Sequence, residues 1–302
     1  MSMFSWFREF RSTVNLKLFS LYLAIVLIIP AITIVIEYLI SKNPELRTDL
    51  QVDMQNFHIY QLFTSQFVHL NFDHFLANVT AYLLIAIYGL VLATIINRKR
   101  LYVVLSKIIV IIFLVFGAFF AVFNATTTYY VGLSGIDSAL AGLLLIFWLV
   151  YLEHTSHQRM RHYYGLVLCC VVALSAGMIA RYIMLYRADR NVTFISILAA
   201  ALILLIIIGY VYWSQFLELS RVLQSFSWSN RLITLGIILI FLYFVWNLFP
   251  EPLANSARTV SISLHIAGIV IGILSGYFFL IYLERMSYFK REKEVISSPV
   301  PP

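Results

Sequence analysis

Four residues from three stretches of the chain have the types that acyl transfer requires. Ser134 sits in Gly132-Leu133-Ser134-Gly135, His265 opens His265-Ile266-Ala267-Gly268, and His74 precedes Asn78 by four residues. An imidazole that takes a hydroxyl proton turns serine into a nucleophile, and nearby hydrogen-bond donors stabilise the oxyanion created by its attack. All four lie inside or at the edge of apolar runs, where a polar or ionisable group is costly and marks a functional site by default. Ser134 is the candidate nucleophile, His265 its base, and His74 and Asn78 the oxyanion donors. The unpaired N–H groups of a helix start at Ser134, its own included, add to that set. Serine and imidazole must come within about 3 Å. The small residues Gly135, Ala139 and Gly142, facing Gly268, Gly272 and Gly276, allow two helices to approach that closely.

The elements that must carry these groups are membrane helices. The chain has 302 residues, 62% hydrophobic and only 12% charged, with a mean hydropathy of +0.90. A soluble domain is about 45–50% apolar and about 25% charged, so a soluble globular fold is excluded. Eight apolar segments, 17–40, 73–96, 101–123, 134–152, 163–186, 192–213, 231–249 and 260–283, are each long enough to cross a hydrocarbon layer of about 30 Å. They lack the alternation of barrel strands, and backbone groups in lipid must be satisfied internally, so each is expected to be an α-helix. The expected fold is an all-α polytopic membrane bundle over 17–284, between an N-terminal segment 1–16 and a tail 285–302 whose Ser297–Pro302 end reads as disordered. Cys169 and Cys170 are adjacent, which disfavours an ordinary disulfide between them.

With eight crossings, 15 of the 21 Lys and Arg residues fall on the side of both termini, which puts both ends in the cytoplasm and accounts for the net charge of +7 without nucleic acid. The first apolar run reads as a span and not as a cleaved signal peptide. The expected location is the plasma membrane. The outer loop 41–72 is rich in apolar groups, including Phe57, Ile59, Tyr60 and Phe63. It reads either as an interfacial segment or as an ordinary outer loop with aromatic anchors. Ser134, His265 and Asn78 lie 19 residues before Glu153, Glu284 and Asn97, the first polar residues at the inner ends of their spans. At 1.5 Å per residue all three stand about 28 Å up, in the outer leaflet, with His74 one turn above Asn78 on the same face.

At these residues the chain resembles the rhomboid family of intramembrane serine proteases. Gly132-Leu133-Ser134-Gly135 is similar to its G-x-S-G, His69/His74/Asn78 to its H-x4-H-x3-N, and His265/Gly268/Gly272 to its H-x2-G-x3-G. The likeness covers about residues 57–152 and 258–284. It implies a Ser134–His265 dyad without a third carboxylate, an oxyanion hole of His74, Asn78 and the Ser134 amide, and support of the first loop by His69. It also implies cleavage of other proteins' transmembrane segments near their outer ends, with no cofactor or metal. Partners are then transmembrane substrates and membrane lipids. Three departures stand out. Three spans separate the serine and histidine helices where the family has one. Tyr60-Gln61 occupies the place of a Trp-Arg pair, and Ser138 that of the aromatic on which the catalytic imidazole stacks; its hydroxyl could serve instead.

Other readings of the same residues are weaker. Asp137, one turn after Ser134, reads as a carboxylate complementing the helix dipole, with a triad acid as the alternative. His154, His157 and His162 lack carboxylates or thiolates at ligand spacing and read as a solvated loop. No H-E-x-x-H and no Gly-x-Gly-Asp occurs, which disfavours zinc and aspartyl intramembrane proteases. A proton-coupled transporter through His265 and Asp137 lacks the internal repeats common in that class. Glu37 and Arg181, near outer span ends, are expected to snorkel. A non-catalytic rhomboid-like binder of transmembrane helices is the principal competitor.

Overall fold

The computed structural model describes residues 16–52, 56–124, 132–156, 164–186, 192–247 and 264–278. The segment before residue 16, the tail 285–302, His157 and His162 lie outside them. Among the described residues the regular elements are helices: α1 (Leu16–Val26), α2 (Ile28–Lys42), α3 (Glu45–Leu50), α4 (Gln61–Thr64) followed by a 3-10 turn (Ser65–Phe67), α5 (Phe72–Ile95), α6 (Lys99–Asn124), α7 (Ser134–Ser156), α8 (Tyr164–Tyr186), α9 (Val192–Val211), α10 (Trp213–Ser225) and α11 (Trp228–Asn247). A shorter apolar helix, α12, covers Leu264–Phe278. Among the described residues six helical stretches are long and apolar enough to cross a membrane: Phe19–Lys42, Phe72–Ile95, Ser134–Ser156, Gly165–Leu185, Val192–Val211 and Trp228–Asn247. The protein is a polytopic helical membrane protein.

The first apolar run is two helices, because Pro30 has no N–H for the carbonyl of Val26 and its ring crowds that carbonyl. The break falls at Leu27, between α1 and α2. The stranded Val26 carbonyl accepts instead from the Tyr82 hydroxyl of α5 at 3.1 Å. At its outer end α5 is capped by Asn71, whose side chain accepts from the His74 amide at 2.8 Å. At the inner end Asn97 adopts a left-handed φ of 55°. The Arg98 amide then reaches Ala93 O at 2.6 Å and the Asn97 amide Thr94 O at 3.1 Å, a Schellman ending.

The core centres on α7, buried without interruption from Leu133 through Leu149. Around it α5 packs most extensively, joined by α6 and α11. Tyrosines tie this inner group: Tyr102 of α6 covers Gly89 and donates to Ala86 O at 3.1 Å, while Tyr88 of α5 covers Gly236 of α11 and donates to Ile233 O. Tyr151 of α7 donates to Asn230 Oδ1 at the start of α11, at 3.0 Å. Outside it, α9 packs on α8, and its apolar side chains are largely exposed along its length.

Two expectations are corrected. Residues 214–225, between the expected spans 192–213 and 231–249, are not a plain connection: with Trp213 they form the amphipathic helix α10, which buries Leu219 and Val222. Its apolar positions recur at helical spacing, but polar neighbours keep the segment below the hydrophobicity of a span. Glu37 and Arg181 do not snorkel. The Arg181 guanidinium is buried and stands 3.9 Å over the Trp246 ring of α11, an attraction strengthened by removal from water. Glu37 is turned into the outer loop, as described next.

Candidate functional site

Ser134 begins α7, and the turn before it requires glycine. Gly132 has a φ of +104°, and a Cβ there would lie 2.9 Å from Asn78 Nδ2 and 3.0 Å from His74 Cε1. Its amide donates to Ser65 O at 3.1 Å, holding the turn to the outer loop. The start of α7 is thereby pressed against the His74–Asn78 face of α5. Ser134, His74 and Asn78 are all buried.

α12 completes the group through small residues. A Cβ at Gly268 would meet Gly135 O and Ser138 Cβ, each at 2.7 Å, and one at Gly276 would meet Ile146 at 3.0 Å. At Gly272 a Cβ would collide with the Ala139 carbonyl, and at Gly142 with that of Ile269. Gly268 faces Ser138 and Gly276 faces Ile146 at one offset of 130 residues, so α7 and α12 run side by side in the same direction. That offset puts His265 level with Gly135, the neighbour of Ser134. His265 is buried there, within electrostatic reach of His74. Gly135 contributes differently from expectation: its α-carbon faces the Phe113 ring of α6, and only its carbonyl faces α12.

Asn78 Nδ2 donates to His74 Nε2 at 3.0 Å. The two expected oxyanion donors are thus engaged with each other in this state. The acceptor role of Nε2 leaves the proton on Nδ1, which has no hydrogen-bond partner among the described residues. Ser138 donates its hydroxyl to Ser134 O at 2.7 Å, so its proton serves its own helix. Asp137 is buried and makes no side-chain hydrogen bond among the described residues, which removes the support for a triad acid. Its electrostatic neighbour is Tyr82.

Behind the group lies a clamp that local sequence patterns did not reveal. Glu37 of α2 accepts from the His69 amide at 2.7 Å and from its Nδ1 at 3.3 Å, and pairs with Arg47 at 3.3 Å. Arg47 also donates to Leu70 O at 3.2 Å. The His69 ring meets His74 edge-on, with centroids 5.2 Å apart. His69 therefore connects the clamp to the candidate oxyanion pair. Gln61, at the family's arginine position, is a loop tie: its Nε2 donates to Asp49 O at 3.1 Å and its Oε1 accepts from the His58 amide at 3.1 Å. Tyr60 is exposed and its ring stacks on His58.

Burial pushes the His69 imidazole below its ordinary value of 6.5, against the pull of the Glu37 contact. A histidine held neutral in the fold supports stability above its unfolded value, and that support is lost as pH falls through the lower folded value. Thermal unfolding in detergent micelles is therefore expected to shift downward on acidification below about pH 6.5. His69→Gln should flatten that part of the profile; an unchanged profile would show that His69 is not the titrating group.

No group of three or more His, Cys, Asp or Glu side chains suited to a metal occurs among the described residues. No protein-family model matches the chain, and no curated protein or solved structure shows significant similarity to it.

Proposed function

We propose that the chain is a rhomboid-like intramembrane serine endopeptidase that hydrolyses peptide bonds in or near transmembrane segments of other membrane proteins. The observation that carries this reading is the α7–α12 register, which sets His265 level with Gly135, one residue from Ser134, and within electrostatic reach of His74. In the reaction Ser134 Oγ passes its proton to His265 and attacks the scissile carbonyl. The Ser134 amide, His74 and Asn78 hold the oxyanion. His265 then protonates the leaving amine, and water, activated by the same imidazole, hydrolyses the acyl-enzyme. Asn78 Nδ2 turns from His74 Nε2 to the oxyanion, His74 donates to it from its protonated ring nitrogen, and the buried site is reached when neighbouring helices part.

The topology proposed with it has eight crossings, α6 and α12 included, with both termini in the cytoplasm of a plasma-membrane protein and the outer loop at the interface. The α8–α9 pair is the addition to a six-helix core. In support, α9 packs on α8, whereas α11 packs against α5 and α7. The test is a serine-directed fluorophosphonate or isocoumarin probe on the purified protein, followed by peptide mapping. Labelling at Ser134 that His265→Ala abolishes is the expected result, and labelling elsewhere counts against the assignment.

A second reading, a non-catalytic binder of transmembrane helices, is favoured by the Ser138 hydroxyl being committed to its own helix at the position of the missing aromatic. Stable capture of a transmembrane partner, with no Ser134 labelling and no cleavage on long incubation, would establish it.

A further inference from the structure

We propose that the groove between the kinked first crossing and α5–α6 binds an anionic phospholipid, with one acyl chain in the groove and the phosphate on Lys107. The cavity of about 190 Å3 is walled by Val26, Ile29, Tyr82, Ala86 and Val110, with Lys107 among its lining residues. Its flanks Ile28 and Ile111 are exposed, so it opens on the outside of the bundle, where lipid lies. The polar wall atoms are already occupied: the Tyr82 hydroxyl by Val26 O at 3.1 Å, and the Ser106 hydroxyl by Tyr102 O at 2.8 Å. Lys107 forms no ion pair among the described residues. An apolar groove with one uncompensated ammonium calls for an amphiphile with an anionic head.

Depth agrees with that assignment. Lys107 is eight residues into α6, about 12 Å along it. Side chains on a helix lean toward its N-terminus, which carries the ammonium toward the Arg98–Arg100 turn and the headgroups of that leaflet. Tyr82 lies a further distance up the bundle, where an acyl chain extends. A helix about 10–12 Å across is too wide for this space, which disfavours a second protein segment as occupant. The inference is independent of the proposed protease activity.

Native mass spectrometry of the full-length protein, titrated in detergent with phosphatidylglycerol and phosphatidylcholine of matched chains, tests it. Phosphatidylglycerol is expected to bind more tightly, and Lys107→Gln to weaken it about fivefold, to the phosphatidylcholine level. Lys42→Gln, an exposed lysine at the far end of α2, should change nothing. Ile29→Trp, which fills the groove, should lower retention of both lipids. If that variant misfolds, Lys107→Gln decides alone. Equal affinity for the two lipids, phosphatidylglycerol binding indifferent to Lys107, or a dimer lost on filling the groove in place of a bound lipid would each overturn the assignment.

Discussion

Ser134→Ala is expected to lower cleavage of a transmembrane substrate in proteoliposomes by about 10^4-fold or more, and His265→Ala to do nearly the same. Residues that act as one catalytic unit give strongly non-additive losses, so the double variant should be little worse than either single one. That pattern separates a dyad from two independent contributions, which would multiply. Both positions are buried and flanked by close backbone contacts, so unfolding must be measured alongside turnover. Ser134→Ala removes one hydroxyl and leaves the Gly132 turn intact, so its melting temperature should stay near that of the parent. Turnover above about 1% of the parent in either single variant, against the size of loss expected for a nucleophile or its base, would end the proposed mechanism.

The largest structural effect is expected at Gly272. A Cβ there runs into the Ala139 carbonyl and lies 2.9 Å from Leu143 N, so the obstruction is backbone on a neighbouring helix and no side-chain rotation relieves it. Gly272→Val should therefore reach or exceed the upper end of the usual overpacking cost, about 3 kcal/mol, and push α12 away from α7. The comparison is Gly209 of α9, where a Cβ would meet nothing within 4 Å. Gly209→Ala should be neutral or stabilising by up to about 1 kcal/mol, the helix-propensity difference. Gly272→Val should also abolish labelling of Ser134, because His265 shares the displaced helix. Equal melting temperatures for the two variants would show that the α7–α12 contact contributes little to the fold.

The described helices were largely legible because lipid allows few backbone solutions: apolar runs of sufficient length become helices, and the observed ends at Phe72, Ser134 and Val192 fall within one residue of expectation. Counting inward from Asn97, Glu153 and Glu284 anticipated a common level, and the α7–α12 register agrees for His265. What could not be read depends on partners distant in the chain. Glu37 reads in sequence as a solvent-seeking carboxylate because His69 and Arg47 become its neighbours only after the outer loop folds back. The burial of Arg181 is hidden in the sequence for the same reason, its covering ring belonging to Trp246. The direction faced by Gly135 depends on Phe113 of α6, and helical spacing alone does not choose between two neighbouring helices. The α10 helix is hidden on different grounds: its pattern is amphipathic, and its polar residues keep it below the hydrophobicity of a span.

The break at Leu27 divides the first crossing into a lower and an upper limb. Glu37 stands ten residues beyond that joint on α2, an arm of about 15 Å, so swivelling the upper limb by about 10° carries the carboxylate about 2.6 Å. That travel is enough to pull it off the His69 amide, now 2.7 Å away. The phenol of Tyr82 fastens that joint to the same helix that bears His74 and Asn78, so the first crossing and the polar pair share one support.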